Sequence, residues 1–329
     1  MLSRSQAFTR ILTRTYRPPA TTARLPQQQR AMTTTIFKHI DPASSTSAKP
    51  WTKVDGPGSS FQMNAYERTV HDIRSQASQF TTDNSGFAVY NSPANEKLFT
   101  DDAAVRSGYY KEVESLLRQH LPGIKKVEIF DHTIRRRTKD SPRQPVQQVH
   151  VDQTPEAAAV RVRRHLPADE AEELLNGRYQ IINVWRPIEN PASDFPLAVI
   201  DWRSTKPSDF IPVDLMYPKR ADSAMGDTDD RGKEKLPSPE SLQSTEGYEV
   251  RGETLGVAPS EEHKFYYMKD MTPDEVMLLK CFDSFGEGMP MGRPGLAVRT
   301  PHTAFVDPNT PKEAPGRQSI EVRCLVFYE

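Results

Sequence analysis

Between Gln147 and Thr154 the chain reads Gln-Gln-Val-His-Val-Asp-Gln-Thr, which puts His150 and Asp152 two residues apart. On a β-strand, side chains alternate between faces, so an imidazole and a carboxylate at this spacing project together. One further imidazole would complete the two-His-one-carboxylate facial triad, which holds Fe(II) and leaves coordination positions open for substrate chemistry. His302, in Thr-Pro-His-Thr-Ala-Phe-Val, is the candidate. His263, before Lys-Phe-Tyr-Tyr, is a lower-ranked rival.

Further on, Arg317-Gln-Ser319 opens the last apolar run of the chain. The planar guanidinium donates two parallel hydrogen bonds to a carboxylate, and a hydroxyl two residues on shares its strand face. An iron centre, an arginine and a hydroxyl in one cavity suit a 2-oxo-dicarboxylate, its keto-acid end on the metal and its far carboxylate on Arg317. Arg323 lies on the same strand face and has three readings: a partner for Glu321, a substrate contact, or the anchor itself. One site cannot use both arginines for the same carboxylate, because six strand residues span roughly 20 Å.

Each of these residues has a structural alternative. Asp152 could cap a following helix together with Thr154. His302, after Pro301, could be a loop histidine, and Arg317 an exposed turn residue after Pro315-Gly316. His132 reads as a structural or supporting histidine; Arg161 and Arg186 read as surface residues or as residues at a cavity mouth. Order and spacing taken together favour the metal site.

The elements that must position these residues are mostly short strands. After residue 126 the predicted strands are 126–130, 147–154, 179–185, 197–202, 213–217, 248–257, 263–268, 276–282, 296–298, 303–306 and 319–328. Pro/Gly/Asp-rich turns separate them, as in an antiparallel sandwich or barrel. Helical spacing predicts helices over 65–80, 104–121 and 154–175. Residues 1–40 contain arginines at 4, 10, 14, 17, 24 and 30 but no Asp or Glu, the composition of a mitochondrial presequence or of a basic disordered tail. Met32 offers an alternative start, so the compartment reads as mitochondrial or cytoplasmic. Residues 41–60 read as a linker or arm, 61–329 as the globular domain, 135–144 as a basic loop, and 219–247 as a mobile insertion.

Several function classes are disfavoured. A net charge of -1 gives no global field for nucleic acid or membrane. No apolar run approaches the ~20 residues of a membrane-spanning helix. Cys281 and Cys324 sit in apolar runs with no Cys-x-x-Cys spacing, against both a disulfide scaffold and a zinc site. Neither glycine-rich phosphate-binding pattern is present, against Rossmann-type cofactor binding and methyl transfer.

Five stretches carry a family resemblance: Val-His150-Val-Asp152-Gln-Thr-Pro, Arg178-Tyr-Gln-Ile-Ile-Asn-Val-Trp-Arg-Pro-Ile, Pro196-Leu-Ala-Val-Ile-Asp-Trp-Arg-Ser, Asp274-Glu-Val-Met-Leu-Leu-Lys-Cys-Phe-Asp-Ser and Thr300-Pro-His302-Thr-Ala-Phe. From about residue 60 onward the chain resembles the fungal hydroxylase/desaturase family, which is similar to gibberellin desaturase and to the cephamycin 7α-methoxylation component. The resemblance implies a distorted double-stranded β-helix, or jelly-roll, with N-terminal helices packed outside it. It also implies Fe(II), 2-oxoglutarate and dioxygen, and oxidation of a small molecule of secondary metabolism by hydroxylation or desaturation. The assignments that follow are His150, Asp152 and His302 for the metal and Arg317, Ser319 and Arg323 for the co-substrate. The expected partner is a small-molecule substrate, with a homo-oligomer or a biosynthetic partner protein also open. A non-catalytic jelly-roll subunit is the alternative from another class.

Overall fold

A computed structural model describes residues 32–54, 58–137, 145–219 and 242–329. The predicted basic segment up to residue 31, part of the 135–144 loop and most of the 219–247 insertion lie outside the described residues.

In chain order the strands are β1 (Met32–Asp41), β2 (Trp51–Lys53), β3 (Gln62–Asp72), β4 (Phe87–Asn91), β5 (Ile124–Arg136), β6 (His150–Val151) and β7 (Tyr179–Pro187). They continue with β8 (Leu197–Ile200), β9 (Phe210–Pro218), β10 (Tyr248–Val257), β11 (Phe265–Tyr267), β12 (Glu275–Asp283), β13 (His302–Ala304) and β14 (Gln318–Tyr328). They form a nine-stranded sheet, ordered β1-β3-β11-β8-β13-β6-β10-β9-β2, and a five-stranded sheet, ordered β4-β12-β7-β14-β5. Most pairings are antiparallel, and the strand order is far from sequence order, as the jelly-roll expectation requires.

Among the described residues, three α-helices of eight residues or more lie outside the strands: α1 (Tyr110–His120), α2 (Pro155–His165) and α3 (Ala168–Leu175). A π turn over Val105–Tyr109 leads into α1. Helix α1 buries Val113, Leu116 and Leu117 against Val184, Ile320 and Val322 of the five-stranded sheet. Helices α2 and α3 pack Val162 and Leu174 against Ile181, Leu325 and Phe327, at the other end of that sheet. Helix α1 thereby covers one face of the smaller sheet, while α2 and α3 cover the far end of its other face, whose remaining part lines a cavity.

The structure corrects several expectations. The 65–80 region is not a helix: it supplies β3, which pairs with β1 along ten residues and with β11 in parallel. Its apolar spacing fits a helix, but Tyr66, Thr69 and Val70 suit a pleated surface, and two neighbouring strands take up its backbone hydrogen bonds. Residues 296–298 do not form a strand, although Ala297 and Val298 are buried. Residues 41–60 include β2, paired in parallel with β9, so this stretch is not a free arm.

The boundary at residue 40 also moves. Met32–Asp41 is a sheet strand that buries Phe37, His39 and Ile40. Phe37 stacks on Phe265 at 4.2 Å between ring centroids, under the sheet that carries the candidate site. A chain starting at Met32 is therefore expected to fold. One starting at Asp41 loses Phe37 and Ile40, each worth roughly 2–5 kcal/mol of packing, an amount comparable with the whole stability of a domain. Thermal melts of the two truncations, followed by circular dichroism, check this; equal melting temperatures would overturn it.

Candidate active site

Strand alternation and strand pairing act together on the three candidate metal ligands. His150 begins β6, and Asp152 follows its last residue. His302 begins β13, whose register sets it directly opposite His150. The two rings lie 4.5 Å apart between centroids. His150 Nε2 is 3.3 Å and His302 Nε2 3.6 Å from Asp152 Oδ1. One donor atom from each residue lies within 4.8 Å of the others.

The other atoms of these side chains are already engaged. His150 Nδ1 lies 2.8 Å from the Gln148 carbonyl and His302 Nδ1 3.1 Å from the Thr300 carbonyl, so each Nδ1 carries the proton and each Nε2 presents a lone pair. Asn183 Nδ2, on β7, donates to Asp152 Oδ2 at 2.7 Å, which leaves Oδ1 facing the histidines. Two imidazole nitrogens and one carboxylate oxygen, each fixed from behind, are the donor set that suits a non-haem iron. Thr154 caps α2 by accepting from Ala157 N at 3.0 Å, so Asp152 is not needed as a cap.

Electrostatics favour a neutral His302 and an ionised Asp152. Burial and the neighbouring His150 push the His302 pKa down to about 4, so its ring is neutral at physiological pH. Burial also disfavours the charged form of His150, but the Asp152 carboxylate outweighs it and raises this pKa. For Asp152 burial opposes ionisation, yet the two histidines hold it well below the usual carboxylate range.

A glycine sets the approach to His302. Gly86, in the turn before β4, has φ +90. A side chain there would come within 2.4 Å of Thr300 Oγ1, and the Gly86 carbonyl accepts the Thr300 hydroxyl. Thr300 in turn orients the His302 ring through its own carbonyl.

The cavity beside the three donors has a volume of about 70 Å³. Its opposite wall is the inner face of β5, β14 and β7, where Thr133, Glu321 and Trp185 lie in one cross-strand row. Arg317 and Ser319 line the same wall, as their spacing predicts. Arg317 Nη1 donates to the Phe195 carbonyl at 2.7 Å, its backbone N–H to Asp194 Oδ2 at 3.1 Å, and its Nε has no hydrogen-bond partner among the described residues. Its guanidinium carbon lies 5.7 Å from the Trp185 ring. Burial first, and the neighbouring Arg135 second, lower its pKa to about 10.

The remaining predicted residues go elsewhere. Arg323 does not line the cavity. It pairs not with Glu321 but with Asp131, its register partner on β5, through Nε at 2.6 Å and through Nη2. Although burial opposes its charge, Asp131 raises the Arg323 pKa above its ordinary value. His263 lies away from the metal donors, 2.9 Å from Asp209 Oδ2. His132 meets Tyr110 and Asp102 on the helix-covered side. Arg186 is buried with its Nε on Tyr109 Oη, not exposed at a cavity mouth. Arg161 covers the Phe130 ring.

Two residues escape the motif reading. Asn183 is a lone amide in a strand that is otherwise buried and mainly apolar, and that contrast is the signal for it. Glu321 was readable only as a partner for Arg323. Burial first, and Asp152 second, raise its pKa to about 7.

A family profile described as oxidoreductase/YMDC permease-like domain matches residues 36–327. The hydroxylase/desaturase efuI of Hormonema carpetanum is 33% identical over 285 residues, covering 82% of this chain and 86% of that protein. The Fe(II)/2-oxoglutarate-dependent dioxygenase nvfI of Aspergillus novofumigatus is 32% identical over 275 residues, 81% of this chain and 85% of its own. A solved structure of the iron and alpha-ketoglutarate-dependent endoperoxidase NvfI superimposes with a TM-score of 0.72 at 28% identity, over 91% of this chain and 99% of that one. With the fold and the donor set in agreement, the chain belongs to the fungal hydroxylase/desaturase family, of the Fe(II)/2-oxoglutarate-dependent oxygenase type.

Proposed function

We propose that this protein oxidises a small organic molecule with Fe(II), 2-oxoglutarate and dioxygen, holding the metal on His150, Asp152 and His302 and the far carboxylate of 2-oxoglutarate on Arg317 and Ser319. The observation that carries this reading is the convergence of three donors, each with its unused atoms already bonded, beside a buried arginine that makes no ion pair among the described residues. When bound, iron and 2-oxoglutarate supply the oxidising power by which a carbon–hydrogen bond is hydroxylated or desaturated.

The chain's own residues hold, orient and shield. His150 and His302 turn Nε2 toward the metal position because each Nδ1–H donates to a backbone carbonyl. Asn183 keeps Asp152 from turning away. The Arg317 fork and the Ser319 hydroxyl give the co-substrate carboxylate charge-assisted hydrogen bonds in a place with little water. Trp185 and Leu197 close the cavity with apolar surface. The intact donor set supports catalysis over a role as a non-catalytic partner subunit.

Anaerobic titration of the purified protein with Fe(II) and then 2-oxoglutarate tests this. A weak visible charge-transfer band is expected only when both are present, and succinate on admitting oxygen. Absence of the band in folded protein would overturn the reading. Asn183→Ala is expected to weaken Fe(II) binding roughly 10- to 100-fold, as losses of groups that orient a ligand do. Fe(II) titration of that variant checks it; unchanged affinity would remove Asn183 from the account.

A further inference from the structure

We propose that Glu321 is the residue that orients the substrate, and that the substrate offers it a hydrogen-bond donor, a hydroxyl or an ammonium group. The inference rests on the function proposed above and concerns the part of the cavity that neither iron nor 2-oxoglutarate uses.

The inward face of β14 carries four polar residues in succession: Arg317, Ser319, Glu321 and Arg323. The first two are assigned to the co-substrate. Arg323 is closed on Asp131. Glu321 stands between these two groups and lines the cavity. Among the described residues, no hydrogen bond or ion pair reaches its carboxylate. Its cross-strand neighbours are Thr133 on β5 and Trp185 on β7. Arg135, two residues along β5, lines the same cavity but already has a partner.

A half-buried carboxylate beside an indole, with no donor to satisfy it, is costly unless a ligand supplies one. In its ionised form, which a donor from the ligand favours, it only accepts, and that sets the ligand class. A carboxylate-bearing substrate would put two like charges together, whereas an alcohol or an amine would donate. Charges already in place point the same way. Iron with Asp152, 2-oxoglutarate and Arg317 sums to zero, and the Arg323–Asp131 pair is neutral. The positive field of Arg323 and Arg135 does not replace a hydrogen-bond donor at the Glu321 carboxylate.

The probes are benzylamine, benzyl alcohol and benzoate, titrated into anaerobic protein loaded with Fe(II) and 2-oxoglutarate, with tryptophan fluorescence as the readout. Wild type is expected to bind benzylamine at least about tenfold more tightly than benzoate, an energy difference of about 1.4 kcal/mol. In Glu321→Gln that preference is expected to vanish, while 2-oxoglutarate affinity, read from the visible band, stays within about threefold. Three results would overturn the proposal: a wild type that prefers benzoate, a variant that keeps the wild-type preference, or a variant whose main loss is in 2-oxoglutarate affinity. The visible band and the melting temperature show in each case that the variant is folded and loaded. Failure of the band in wild type would count against the proposed function instead, so the two readings fail separately.

Discussion

Asp152→Ala is expected to abolish Fe(II)-dependent turnover of 2-oxoglutarate. The loss should exceed the roughly 10- to 100-fold seen when a residue that only orients a ligand is removed. Asp152 is the sole anionic member of the donor set, and the short distances from its Oδ1 to both imidazoles show how much of the local field depends on it. Without the carboxylate, two neutral imidazoles on adjacent strands remain, a poor site for a divalent hard-to-borderline cation. His150→Ala and His302→Ala are expected to fall in the same class. His263→Ala serves as the contrast, because His263 is bonded to Asp209 and lies outside the donor set. It should leave Fe(II) affinity near wild type. Anaerobic Fe(II) titration and succinate release distinguish these outcomes. Tight metal binding by His302→Ala, together with its loss in His263→Ala, would move the third ligand.

Arg317→Ala is expected to weaken 2-oxoglutarate binding by about 30- to 1,000-fold, which corresponds to roughly 2–4 kcal/mol for a buried charge-assisted contact. Burial without an ion pair among the described residues is what makes the effect large: the cation is poorly solvated, and an incoming carboxylate gains nearly the full interaction. Arg317→Lys should recover only part of the loss, because an ammonium cannot reproduce the planar fork. Arg323→Ala should behave differently. It leaves Asp131 partly buried without its ion-pair partner, so the expected effect is a lower melting temperature, with 2-oxoglutarate affinity near wild type. The visible chelate band gives the affinity and a thermal melt gives the stability. A large affinity loss in Arg323→Ala with none in Arg317→Ala would reverse the assignment.

The two arginines show where local pattern stops being informative. Both lie on one strand face, two and four residues from Glu321, and alternation alone treats them alike. The register of β14 against β5 separates them. It sets Asp131 opposite Arg323, while Arg317 comes just before the first residue of β14 and reaches the Phe195 carbonyl. Periodicity was misleading in the 65–80 region for a related reason. A half-buried strand and an amphipathic helix can share an apolar spacing, and only the presence of β1 and β11 on either side decides the matter. The extent of β1 was hidden because its buried positions, Phe37 and Ile40, sit in a stretch whose composition is otherwise that of a tail.

What the sequence determined by itself is the chemistry that depends on residue type and short spacing. His150 and Asp152 must share a face because strand side chains alternate, Arg317 and Ser319 form a fork and a hydroxyl at one end of the last strand, and no glycine-rich loop is present to bind a nucleotide. What only the tertiary structure decided is which distant groups meet. The pairing of β6 with β13 brings His302, and not His263, to the pair. The stacking of the smaller sheet over the larger turns Asn183 toward Asp152 and leaves Glu321 facing the cavity. Such contacts join residues far apart in sequence. They are fixed by sheet order and register, which depend on the packing of the whole chain and leave no periodic mark near the residues concerned.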